Sequence, residues 1–130
     1  MTDPIGDMLT RIRNGYAAHQ RQVKMPYSAI KEKLGKIFVK EGYLKEISLE
    51  GKKPQEKKFV VKLKYHQQEP ALGRLERVSR PSLRIYLQAK ELRPFRGGFG
   101  MRILSTSQGL MTDREAKKKH LGGEVICQFW

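Results

Sequence analysis

Ile5, Met8, Leu9 and Ile12 recur at i, i+3, i+4 and i+7, so four apolar side chains share one helix face. Asp3 is suited to the N-cap and Pro4 to the first helical position. The spacing predicts a helix over 3–14, closed by Gly15. Gln22 to Met25 reads as a short strand stopped by Pro26. Ser28 then caps a second helix reaching about Glu41, with Ile30, Leu34, Ile37 and Phe38 as its stripe. Lys31, Lys33, Lys36 and Lys40 fall on its other faces, either as a solvated surface or as contacts to a polyanion. Tyr43–Leu49 and Lys57–Tyr65 follow as strands around a polar turn with Gly51 and Pro54. In the second, Phe59, Val61, Leu63 and Tyr65 alternate with Lys58, Lys62 and Lys64, the mark of a half-buried antiparallel strand; Val60 breaks the alternation. The first half is therefore α-β-α-β-β.

His66 to Pro70 is polar and ends in proline, which suggests a linker. The second half is mostly strand: Leu75–Ser79, Leu83–Leu87, Met101–Ser105 and Glu124–Phe129. Arg93 to Gly100 reads as a loop. Thr112 opens a short helix to about His120, with Glu115 at capping-box spacing. The predicted fold is α+β with two small domains: 1–65 (α-β-α-β-β) and 66–130, mostly antiparallel β with one short helix.

Charge narrows the partner. There are 27 basic and 13 acidic residues, a net charge of +14. The excess is no tail: residues 1–65 hold 15 basic and 7 acidic groups, and residues 66–130 hold 12 and 6. Such a balance calls for a polyanion, nucleic acid first and an anionic membrane surface second. No apolar run approaches the length of a membrane span. The start, Met1-Thr2-Asp3-Pro4, lacks the features of a signal peptide, so a cytoplasmic protein is expected. A lone Cys127 excludes an internal disulfide framework.

Catalytic and metal motifs are missing. His19, His66 and His120 are scattered, with no partners at ligand spacing. Gly97-Gly98-Phe99-Gly100 lacks the Lys-Ser/Thr of a phosphate loop and precedes a strand. No paired acid and base supports turnover. No catalytic residue, metal, cofactor or small-molecule substrate is expected. Tyr86 and Phe99 can stack on bases, but aromatics are 8% of the chain and form no sheet-surface pair, so structured RNA is the better fit.

The densest chemistry lies between Ser105 and Trp130. Ser105, Thr106, Ser107, Gln108 and Gly109 form a hydroxyl- and amide-rich turn able to enter an A-form minor groove. Gly122-Gly123 brings bare backbone beside it, and Glu124 can accept from an amino or hydroxyl group. Both glycine sites also serve as plain turn and helix-stop positions. Lys117, Lys118 and Lys119 cannot all grip one phosphate, because adjacent helix residues diverge. They read as a diffuse attractive field or an ordinary wet face.

These residues carry a resemblance. Asp3-Pro4-Ile5-Gly6-Asp7-Met8-Leu9-Thr10-Arg11-Ile12-Arg13-Asn14-Gly15, Arg77-Val78-Ser79-Arg80-Pro81 with Leu83-Arg84-Ile85-Tyr86, and Ser105-Thr106-Ser107 through Met111-Thr112-Asp113 to Gly122-Gly123-Glu124 and Cys127 are similar to the eighth-protein family of the bacterial small ribosomal subunit. The resemblance runs end to end. Phe99 and Met101 depart from the aliphatic residues usual there. It implies a non-catalytic constituent of the small subunit that binds the central domain of its ribosomal RNA directly and promotes assembly, with the fifth small-subunit protein as a neighbour. The implied RNA-facing residues are Ser105, Thr106, Ser107, Gln108, Gly109, Gly122, Gly123, Glu124, Tyr86, Arg84, Lys117 and Lys118, with Thr2, Asp3, Pro4, Arg11, Arg13 and Lys31 in the first domain. The rivals are a free-standing RNA-binding translational regulator and an enzyme acting on RNA.

Overall fold

A computed structural model describes residues 3–130. The chain forms two compact units, one running to Gly73 and the other Arg74–Trp130.

In the first unit the helix α1 (Pro4–Ala17) starts where the sequence places it: the Asp3 side chain accepts from the Gly6 backbone N–H at 3.2 Å. It does not stop at Gly15. That glycine is buried inside the helix, where a Cβ would lie 2.6 Å from the Val23 side chain. Its smallness lets α1 seat on the sheet; it is a packing glycine and no helix stop. The strand β1 (Gln22–Pro26) is followed by α2 (Ala29–Lys40), whose N-cap Ser28 accepts from the Lys31 backbone N–H. Two more strands, β2 (Leu44–Glu50) and β3 (Lys58–Leu63), complete an antiparallel sheet of order β1-β3-β2. Val23, Met25, Phe59, Val61 and Leu63 form its buried face. Gly35 of α2 would place a Cβ 3.0 Å from the Phe59 ring, so α2 also lies close on this face. Val60 is buried on the opposite face, which accounts for the broken alternation.

Residues 66–70 are no open linker. β4 (Tyr65–His66) and β5 (Glu69–Pro70) pair as a hairpin, with Gln67 and Gln68 both at positive φ in its turn. Tyr16 ties the hairpin's root to the core. Its hydroxyl donates to the Tyr43 carbonyl at 2.6 Å and accepts from the Lys64 N–H at 3.1 Å.

The second unit is built on its last strand. After β6 (Leu75–Arg77), β7 (Tyr86–Leu87), β8 (Met101–Thr106) and β9 (Gly109–Thr112) comes α3 (Asp113–Lys118), then β10 (Gly123–Phe129). β10 is central: β8 pairs on one side and β6 and β7 on the other, all antiparallel. Leu92, Leu104, Met111, Ala116 and Val125 pack together between sheet and α3. The predicted strand over 83–87 shrinks to Tyr86–Leu87. A buried Ser79 hydroxyl accepts from the Ile85 N–H at 2.8 Å and donates to its carbonyl at 3.1 Å, holding Arg80–Arg84 as a loop. Nothing in the local sequence marks β9. Its four residues are too few for alternation to show, and only pairing with β8 defines it.

Candidate nucleic-acid interface

The hydroxyl-rich segment is the tip of a β8–β9 hairpin. Thr106 and Gly109 close the ladder around Ser107 and Gln108. Gly109 sits at φ 103, a conformation few side chains tolerate. The Thr106 hydroxyl accepts from the Gln108 N–H at 3.1 Å and donates to the Gly109 carbonyl at 2.8 Å. Thr106 therefore rigidifies the turn, while Ser107 and Gln108 stand in solvent at its apex. A projecting, pre-formed tip with a short hydroxyl and an amide is suited to a shallow groove.

The Gly-Gly corner sets what stands beside the tip. A Cβ on Gly123 would fall 2.3 Å from the Ser105 carbonyl oxygen, and one on Gly122 2.6 Å from the Leu87 carbonyl oxygen. Both neighbours are backbone and cannot move aside cheaply. The two glycines let β10 enter between β8 and β7. One residue on, Glu124 pairs with Ser105 on one side and Tyr86 on the other. Directly opposed residues project from the same sheet face, so Ser105, Glu124 and Tyr86 form one rank. That face is the one opposite Leu104, Met111 and Val125.

Tyr86 is 66% exposed, a flat ring presented to solvent. Glu124 carries a partner the sequence does not show. Its carboxylate is engaged by Arg84, whose Nη1 lies 3.0 Å from one oxygen and 3.4 Å from the other. The Glu124 side chain is 14% exposed and that of Arg84 53%. Glu124 thus holds a guanidinium next to the tyrosine.

The first-unit candidates have local duties. Asp3 and Pro4 build the start of α1. Arg13 is exposed. Arg11 grips Asp7 at 2.9 Å and the Lys24 carbonyl at 3.1 Å. Lys31 departs from the sequence reading, which put it on an outer helix face. It is 3% exposed, and its ammonium donates to Asp7 at 2.9 Å and to the Pro26 carbonyl at 3.1 Å. It is a buried tie between α1, β1 and α2 and not a surface cation. The Lys31 hydrogen bond, opposed by burial and aided by Arg11, holds the Asp7 carboxyl below its ordinary range. Thr2 lies outside the described residues.

At the C-terminal end of α3, Lys119 pairs with Glu115 at 3.5 Å; within the helix Lys118 is exposed, and Lys117 faces a cleft shared with Arg93. Two further residues shape the candidate site. Ser79 holds the loop that presents Arg84, and Asp7 anchors both Arg11 and Lys31. The i,i+4 spacing of Asp7 and Arg11 was the available signal; Ser79 offered none, since its partner is backbone.

The second unit of this basic α+β chain thus presents a rigid polar hairpin tip beside an exposed tyrosine and a carboxylate-held arginine. Comparison with known proteins narrows this. The family described as Ribosomal protein S8 matches residues 3–130. Small ribosomal subunit protein uS8 of Persephonella marina is 47% identical over 135 residues, covering 100% of this chain and 99% of that protein. The protein of that name from Vibrio parahaemolyticus is 50% identical over 127 residues, covering 98% and 96%. The chain belongs to the ribosomal protein S8 family.

Proposed function

We propose that the chain is a structural constituent of the small ribosomal subunit that binds the central domain of its RNA directly and early, and so promotes assembly. The observation that carries the reading is the rank of Ser105, Glu124 and Tyr86 beside the exposed Ser107–Gln108 apex, with Arg84 held alongside. An A-form minor groove offers 2′-hydroxyls and sugar edges to the apex. Arg84 and the surrounding cations face phosphate, which orients without reading sequence. Tyr86 stacks on an exposed base or sugar face. The first unit touches further RNA through exposed cations such as Arg13. The fifth small-subunit protein is the expected protein neighbour. The role requires binding and no turnover.

Co-sedimentation tests it. The chain stays with small subunits through a high-salt wash, and nuclease footprinting on naked small-subunit RNA shows protection within the central domain. Protection confined to other domains would overturn the RNA assignment. Release from subunits with retained binding to messenger RNA would favour the free-standing regulator.

A further inference from the structure

A second, concave surface lies on the α3 side of the second unit. Two clefts of about 340 and 490 Å³ share Leu92, Arg93 and Lys117 in their walls and so form one trough. The first runs over Pro94, Gly97 and Gly98 to Arg114; the second runs past Lys90 to His120. The floor is apolar and the rim cationic.

The charge is uncompensated. Other cations of the chain do have carboxylate partners, as in Lys24–Glu50, Lys62–Glu46, Arg84–Glu124 and Lys119–Glu115. Among the described residues, Lys90, Arg93, Lys117 and His120 have no carboxylate partner, and Arg114 donates only to the Gly98 carbonyl. Asp113, the carboxylate in the wall, is buried and accepts from the Arg102 N–H at 3.4 Å. Glu91 is turned back onto the Gln88 N–H. The lysines and arginines left unpaired around one trough repel each other, and an anionic ligand relieves that cost.

Shape selects the ligand. A duplex presents a convex backbone too broad for slots of this size and is met by projecting elements such as the Ser107 apex. A cationic groove tracks the backbone of a single strand, and this trough supplies that charge together with the His120 ring, on which a base can stack. We infer that the trough between residues 89–98 and α3 binds a single-stranded RNA segment flanking the helix that the hairpin tip grips. This rests on the RNA-binding reading above and assigns Lys90, Arg93, Arg114, Lys117 and His120 a role apart from the tip.

The test uses the full chain and two probes: an RNA hairpin containing the cognate helix, and the same hairpin with a single-stranded oligouridylate tail. The tail raises wild-type affinity on the order of tenfold and steepens the salt slope by about 0.7 for each added phosphate contact. Arg93→Gln with Lys117→Gln abolishes the gain from the tail, as does Lys90→Gln with Arg114→Gln. Ser107→Ala weakens binding of both probes and keeps the gain. A tail without effect overturns the inference. So does an equal gain from an added duplex segment, which marks a diffuse field. An unchanged bare-hairpin affinity in Ser107→Ala, with the tail gain intact, would instead overturn the assignment of the tip.

Discussion

Ser107 is a side chain whose loss tests binding apart from folding. It stands exposed at the hairpin apex, and the turn is held by Thr106. Ser107→Ala leaves the fold intact and lowers affinity for the cognate helix by about 0.5–1.5 kcal/mol, the worth of one ordinary hydrogen bond. Because no charge is removed, titration at two salt concentrations returns the same loss. Gly123 behaves in the opposite way. Its missing Cβ leaves room for the Ser105 carbonyl, so Gly123→Ala forces β10 from β8. Chemical denaturation registers a loss of about 1–3 kcal/mol, typical of overpacking against rigid neighbours, and RNA binding falls with it. Asp7 and Lys31 carry a pH signature. The Asp7 carboxyl is held below its ordinary range, so its stabilising effect is present above that range and is lost as pH falls below about 4. Asp7→Asn costs about 1–2 kcal/mol near neutrality, the lower part of the range because Asp7 is partly exposed. Acid titrations of both proteins show the gap narrowing toward low pH; a constant gap would remove the charge from the account.

β10 is the element on which the second unit depends. It pairs with three strands and supplies Val125, Cys127 and Phe129 to the interior. Between Val125 and Cys127 the register with β8 shifts by one residue. This bulge lets Val125 pack toward α3 while Cys127 pairs with Ile103. Burial pushes the Cys127 thiol up to about 12. A thiol that stays protonated and covered does not react. Ellman's reagent therefore leaves the native protein unmodified at pH 8 and labels it only as denaturant opens the sheet. Rapid labelling without denaturant would show that β10 is not stably central.

For the molecule as a whole, the net charge of +14 is spread over both halves, and the proposed RNA binding is expected to follow it. Filter binding over a salt series gives a log–log slope of roughly −0.7 to −0.9 per phosphate neutralised. An affinity indifferent to salt would sink the electrostatic account and leave the hairpin tip to supply the whole interaction.

Composition and periodicity alone determined the α-β-α-β-β order of the first half, the caps at Asp3, Ser28 and Thr112, and a polyanionic partner. Each rests on neighbours within a few residues or on a plain count of charges, which a linear chain displays. The hydroxyl cluster at 105–109 and the Gly-Gly-Glu corner were legible too, because unusual residue types stood together. Pairing across the chain decided the rest. Gly15 looked like a helix stop because its partner, Val23, is a strand away. Lys31 looked like a surface lysine because Asp7 lies 24 residues earlier. The tie between Glu124 and Arg84 left no mark in the sequence because the two lie 40 residues apart. The rank of Ser105, Glu124 and Tyr86 exists only once β8, β10 and β7 are in register. Local preference is written into each stretch of chain, but which side chains meet is fixed by the register and layering of distant segments, and those appear only in the folded molecule.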